Sequence, residues 1–335
     1  MKKLFSLLLV LALFLSLPSC AGGKGSNSSS APPTDGSAAD DAFQFTQPIT
    51  VVVPFKAGSA TDNQIRLMQS DLEKALGTTL VIVNAEGGSG TIGTTEFLNS
   101  YKPDGYTILY TLATPVVYKP LSGDTSYTYD DLTSVARTSS QPMYLIMADS
   151  NPMSNAEDVI QYLKDNPGKF TYSHVGNGGN GHLAFASFLI GEGFQATSVP
   201  YPGGTADCYT ATMGGEVDSC VYGEADLLTR EGAHGVINLG SPSTVESLKD
   251  VPTLADLGYE GYETNNMAGF FYHKDTPASA VTAFEQAVKT VLTDEAFVTR
   301  ATEAGFVPSF GTGTEMDEQS TRSIEVALPV IEAMG

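Results

Sequence analysis

Ile49-Thr50-Val51-Val52-Val53-Pro54-Phe55-Lys56-Ala57-Gly58-Ser59-Ala60-Thr61-Asp62 contains an apolar run, an abrupt break and the start of a helix pattern. Residues 49–55 are rich in Val and nearly continuous in hydrophobicity, the pattern of a strand buried on both faces. Beyond the break, Ile65, Met68, Leu72, Ala75 and Leu76 recur at helical spacing, and Gly77 is a C-terminal stop. Residues 80–83 read as the next strand. Gly87-Gly88-Ser89-Gly90-Thr91-Ile92-Gly93 opens another helix, and 106–112 is a third strand. This repeated strand–loop–helix order predicts a parallel sheet with right-handed crossovers.

The pattern returns downstream. Residues 170–174 are strand-like, a glycine-rich turn spans 176–181, and Leu183, Phe188 and Leu189 mark a helix. Residues 196–201 form a strand, and Pro202-Gly203-Gly204-Thr205 leads into a helix that stops at Gly214-Gly215. Residues 217–222 and 236–239 are further strands, and 281–303 and 315–333 are helical. Two α/β units around an interrupted middle segment predict two lobes with a cleft between them.

The 335 residues include 38 acidic and 17 basic side chains, a formal net charge of −21. Nucleic acid and a polybasic membrane patch both need clustered Lys and Arg, so this balance disfavours them. With 41% hydrophobic and 16% charged residues the chain is globular, and 34 glycines point to tight turns or backbone-lined loops. Lys2 and Lys3 precede an apolar run over 4–17, a signal-peptide layout shorter than a transmembrane span of about 20 residues. Leu17-Pro18-Ser19-Cys20-Ala21 resembles a bacterial lipobox, which makes Cys20 the lipidated first residue of the mature chain. Residues 21–42, mostly Gly, Ser, Asn, Ala, Pro and Asp, read as a flexible tether. Without Lys2 and Lys3 the mature chain sets 15 basic side chains against 38 acidic ones, net −23. The expected order is therefore a signal peptide over 1–19, a lipid-anchored linker over 20–42 and a globular part outside the cytoplasm. There a cysteine pair can oxidise, so a disulfide between Cys208 and Cys220 is expected ahead of two buried thiols.

Three loops share one design, a buried strand, a glycine-rich turn and a helix start: 54–62, 87–93 and 176–182. Helix N-termini present unpaired N–H groups and partial positive charge, so each loop is a candidate anion site. Gly88 to Gly93 also spells GxGxxG. Four residues separate it from the strand, where a dinucleotide site wants a tight turn, and the motif alone is weak. His174, His182, His234 and His273 form no metal spacing, and there is no GxSxG nucleophile elbow. No cofactor, metal or catalytic group is expected.

Taken in order, these motifs resemble the solute-binding proteins of tripartite tricarboxylate transporters, the Bug family. The resemblance starts at Pro54 to Asp62 and continues through Asn84, Gly90-Thr91-Ile92-Gly93 and Pro103-Asp104-Gly105-Tyr106-Thr107. Gly176-Asn177-Gly178 with His182-Leu183, Val199-Pro200-Tyr201 with Gly203, Gly214-Gly215-Glu216-Val217-Asp218 and Val251-Pro252-Thr253-Leu254-Ala255-Asp256 complete it. It implies a periplasmic-binding-protein type II-like fold, two α/β lobes with a hinge and an interlobe cleft. Residues 43–140 and 241–335 would form lobe 1 and 141–240 lobe 2, with crossovers near Gln141 and Gly240.

The implied function is an extracytoplasmic, non-enzymatic receptor. It would deliver a small carboxylate (a di- or tricarboxylate, acidic amino acid or aromatic acid) to membrane permease subunits. The alternatives are a sensory binding module and an exported enzyme acting on an acidic substrate. The family holds carboxylate largely through main-chain N–H groups of the first loop and of the loop before His182. The candidate ligand-binding residues are accordingly Phe55, Lys56, Gly58, Ser59, Ala60, Thr61 and Asp62, with Gly178, Gly179, Asn180 and His182 opposite. Thr111, Ala113 and Thr114 would form the cleft floor, and Tyr201, Gly203 and Tyr222 its walls. Asp62 is read as a capping residue that fixes the loop, with ligand contact as the rival role. This chain departs from the pattern at Lys56, which either pairs with ligand or is solvated. It departs again at Ser59 and Gly179, and Glu224 would favour an ammonium if it faced the cleft.

Overall fold

The computed structural model describes residues 43–201 and 204–334; the expected signal peptide, Cys20, the whole 21–42 tether and Gly203 lie outside them. β1 (Ile49–Val53) is sandwiched, with Ile49, Val51 and Val53 in one apolar core and Val52 in another. α1 (Ala60–Leu76) buries Ile65, Met68 and Leu72 against the first core and ends at Gly77, whose left-handed backbone (φ 69°) closes the last turn. β2 (Leu80–Asn84), α2 (Thr91–Ser100) and β3 (Thr107–Leu112) follow, and β1 pairs in parallel with β2 and β3 on either side. The short α3 (Lys119–Leu121) leads to β4 (Leu132–Ala148), a strand of 17 residues.

A second unit then forms from α4 (Ala156–Asp165), β5 (Thr171–His174), α5 (Asn180–Gly191), β6 (Thr197–Pro200), α6 (Thr205–Met213), β7 (Ser219–Gly223), α7 (Glu224–Thr229) and β8 (Ala233–Asn238). The chain returns through β9 (Asn265–His273), α8 (Ala278–Leu292), α9 (Glu295–Glu303), β10 (Gly311–Thr312) and α10 (Gly313–Met334). Residues 132–142 of β4 pair antiparallel with β9, whereas 143–148 pair antiparallel with β7 and β8. One strand thus belongs to both lobes. Leu183 and Ala186 of α5 also reach into the core that Met316, Ala327 and Val330 of α10 share with lobe 1.

Three expectations are corrected. The sheet is mixed and not parallel: β2–β1–β3 and β7–β5–β6 are parallel, but β4, β8, β9 and β10 run antiparallel. β4 escaped the sequence reading because Thr133, Ser134, Arg137, Thr138, Ser139, Ser140 and Gln141 break any apolar run. The return to lobe 1 is not near Gly240. Leu254 belongs to the second lobe's core, Leu257, Tyr259 and Tyr262 pack on it, and a bridge from Asn238 to Thr253 ties the segment to β8. Residues 241–264 therefore stay with lobe 2, and β9 begins the return. Cys208 on α6 and Cys220 on β7 are buried free thiols, not a disulfide. They pack with Tyr144, Ile146 and Tyr222, and burial pushes the Cys220 thiol up to about 12, which keeps it protonated and unreactive. No helix among the described residues is long and apolar enough to cross a membrane.

Candidate functional site

A cavity of about 430 Å³ opens between the lobes, and helix starts converge on it. Ala60, Thr61 and Gln64 of α1 line it from lobe 1. Asn180 and Gly181 of α5, Thr205 at the start of α6, and Gly223 and Ala225 around the start of α7 line it from lobe 2. Phe55, Leu112, Met143, Val221 and Tyr222 add apolar surface, and Gln141 and Asn266 enter from β4 and β9.

The first loop is built to hold α1 open toward this space. Ser59 is the N-cap and accepts the Asp62 N–H at 3.3 Å. Asp62 does not cap. Its buried carboxylate accepts the Gly58 N–H at 2.8 Å, Arg66 Nε at 2.8 Å and Asn84 Nδ2 at 2.9 Å, closing the loop onto β2. The Arg66 guanidinium, helped by Gly58 and Asn84, holds the Asp62 carboxyl down to about 2 against the opposing pull of burial. The first-turn N–H groups of Ala60 and Thr61 have no intrahelical acceptor, and both residues line the cavity.

Two histidines support the opposite loop from behind. His182 Nδ1 accepts the Gly178 N–H and His174 Nδ1 accepts the Gly176 N–H, each at 3.2 Å. A backbone N–H can only donate, so each ring carries its proton on Nε2; that of His174 meets Ser198 Oγ at 2.6 Å. The rings lie 4.5 Å apart, and desolvation lowers both pKa values to about 4. Gly179, the residue before α5, supplies no side-chain cap, so the first N–H groups of α5 stay available. Asn180 is 6% exposed, and neither side-chain atom has a hydrogen-bond partner.

Of the residues expected at the site, Phe55, Ala60, Thr61, Thr114, Gly179, Asn180 and Tyr222 line the cavity. Lys56 and Gly58 are exposed on the loop outside the lining, and Ser59 and Asp62 stand behind it. Thr111 and Ala113 are buried beneath the floor. Gly178 and His182 shape the loop without lining the cavity, and the half-buried Tyr201 turns its hydroxyl to Glu216 at 3.3 Å. Glu224 is buried and lies outside the cleft lining.

Lys119, Asp226, Gln64, Ser89, Gln141, Thr205 and Asn266 line the cavity without having been picked out. Ser89 belongs to the glycine loop at 87–93 and Thr205 to the turn at 202–205; Lys119, Asp226, Gln64, Gln141 and Asn266 stand in no motif. Lys119 Nζ stands 3.5 Å from Asp124 and beside Gly178 across the cleft. Burial raises the Asp226 pKa, with Arg230 opposing at 3.5 Å. Among the described residues no group of three or more His, Cys, Asp and Glu is placed to hold a metal.

Residues 64–335 match the family described as Tripartite tricarboxylate transporter family receptor. A UPF0065 protein of Agrobacterium vitis is 26% identical over 297 residues, covering 87% of this chain and 85% of its own. A TctC solute binding protein from Polaromonas superposes with a TM-score of 0.75 at 22% identity, covering 86% of this chain and 99% of that one. R. palustris Rpa4515 with adipate superposes with a TM-score of 0.69 at 26% identity, covering 84% and 94%. The fold is that of a two-lobed solute-binding protein, and the chain belongs to the tripartite tricarboxylate transporter receptor family, whose members are solute-binding receptors and not enzymes.

Proposed function

We propose that this protein captures a small organic carboxylate in the interlobe cleft, outside the cytoplasm, and delivers it to a tripartite tricarboxylate-type membrane transporter. One observation carries the reading: the first turns of α1 and α5, from opposite lobes, line one cavity, beside the buried, unpartnered amide of Asn180. Such turns favour an anion by geometry and by dipole. Lys119 adds a cation at the same wall, while Phe55, Leu112, Met143, Val221 and Tyr222 cover an aliphatic or aromatic body. The adipate held by Rpa4515 has that make-up, a carboxylate at each end of a methylene chain. A lipid on Cys20 and the 21–42 tether keep the receptor near its permease.

Thermal shift and calorimetry on the mature chain test this. A dicarboxylate such as adipate raises the melting temperature, because a ligand bound only to the folded state stabilises it. Asn180→Leu and Lys119→Ala each weaken its binding about tenfold or more, roughly 1.4 kcal/mol, while Lys56→Ala leaves it unchanged. A panel of di- and tricarboxylates, acidic amino acids and aromatic acids that produced no shift would count against carboxylate capture. Unchanged affinity in Asn180→Leu would remove the α5 loop from the site.

A further inference from the structure

The geometry points to a second ligand site behind the strands that join the lobes: we infer that it takes a small zwitterion, an amino carboxylate, with its carboxylate at Arg137 and Arg322 and its ammonium at Glu224. Successive strand residues face opposite ways. Asn266 of β9 lines the cleft, whereas its neighbour Asn265 lines a separate cavity of about 510 Å³. Arg137, Gln319 and Arg322 reach that cavity from lobe 1, and Glu224, Ser243 and Glu263 from lobe 2.

The charged ends are held but not neutralised. Arg137 donates to the carbonyls of Ser309 and Phe310, each at 3.4 Å, and to Gln319 Oε1 at 2.9 Å. Among the described residues no carboxylate lies within ion-pair distance, and a guanidinium has more N–H donors than these acceptors use. Glu315 is an acid whose charge acts on it, but its carboxylate is taken up by Thr312 and does not line the cavity. Gly311 presses its backbone on the guanidinium, where a Cβ would stand 2.8 Å from Arg137 Cζ. Glu224, 3% exposed, accepts from the hydroxyls of Tyr144 (3.3 Å) and Ser243 and has no cation within ion-pair distance among the described residues. A buried carboxylate without a cation is costly, and a bound ammonium would relieve it.

Between these ends runs a fixed polar floor. Gln319 Nε2 donates to Ser140 Oγ at 3.1 Å, and Asn265 Nδ2 donates to Ser140 Oγ at 3.0 Å and to Ser241 Oγ at 2.9 Å. The chain of bonds therefore leads from Arg137 across β4 and β9 to the segment that holds Glu224. A simple anion entering the cavity meets Glu224 and Glu263, and a simple cation meets Arg137 and Arg322. A molecule carrying both charges satisfies both ends.

Calorimetry on the mature chain with glycine, L-glutamine and γ-aminobutyrate, and with acetate and methylammonium as single-charge controls, tests the site. At least one amino carboxylate binds, and Arg137→Gln and Glu224→Gln each weaken it about tenfold or more, while Asn180→Leu in the cleft does not. Phenylglyoxal labelling of the wild type, read by mass spectrometry, needs no variant to fold. The binding amino carboxylate slows modification of Arg137 and Arg322 severalfold, leaves Arg300 unaffected, and acetate gives no such protection. Absence of binding by all three amino carboxylates, equal protection by acetate, or loss of binding only in Asn180→Leu each overturns the proposal.

Discussion

Asp62 shows how one side chain sets up a binding loop without lining it. Its carboxyl, held down to about 2 chiefly by Arg66, sits below its ordinary value of 3.8. A lowered pKa means the unfolded chain binds the extra proton, so the stabilisation is present above about pH 4 and lost as pH falls toward 2. Arg66 is half exposed, which discounts the effect to on the order of 1–2 kcal/mol. Asp62→Asn is expected to lower stability to urea by that amount near neutral pH, with variant and wild type converging near about pH 2. An equal gap at both pH values would trace the loss to packing and not to charge. Lys56 and Lys119 make the complementary point. Lys56 stood in a legible motif yet is exposed outside the lining, while Lys119, in no motif, is placed in the cleft wall by the turn after β3.

The loop before α5 depends on neutral imidazoles. His174 and His182 accept glycine N–H groups through Nδ1, and protonation there would cancel both acceptors. Their folded pKa values of about 4 lie below the ordinary 6.5, so the protein loses stability as pH falls from about 6.5 through 4. Nitrogen NMR of the rings is expected to find both neutral with the proton on Nε2 at about pH 6. A ring titrating near its ordinary value would show that the loop does not use it as an acceptor. At this level the sequence was legible where apolar period was strong. The helical reading of 281–303 missed the start of α8 at Ala278 and the break at Thr293-Asp294, where Asp294 caps α9 by accepting the Phe297 N–H at 2.8 Å. The polar half of β4 was illegible, because its side chains are paired by tertiary neighbours: Tyr110 holds Thr138 at 3.0 Å and Gln319 holds Arg137.

For the molecule as a whole, the place where β4 and β9 cross between lobes is tightly closed. A Cβ on Gly240 would stand 2.2 Å from Asn265 Oδ1, 2.7 Å from Thr264 O and 2.9 Å from Pro142 Cα. Two of these atoms are backbone, so Gly240→Ala has to push the connecting strands apart. The expected loss is about 1–3 kcal/mol in chemical denaturation, with weaker cleft binding as the lobes shift. Wild-type stability in Gly240→Ala would show that the crossing is looser than its packing. The acidic excess of the chain acts differently. Salt screens exposed charges beyond roughly 8 Å, so an acidic surface does not exclude an anion from a site made of local N–H groups.

By itself the sequence determined the strand–loop–helix units, the glycine loops that begin helices and the family those motifs resemble, because apolar period and turn chemistry are local. Tertiary structure alone decided which loops share a cavity, that β4 serves both lobes and that residues 241–264 stay with the second core. It also decided that Glu224 turns away from the cleft and that the cysteines remain thiols. Each of these depends on contacts between residues far apart in the chain, and side-chain direction at a strand end or helix start is settled only when the opposite lobe is in place.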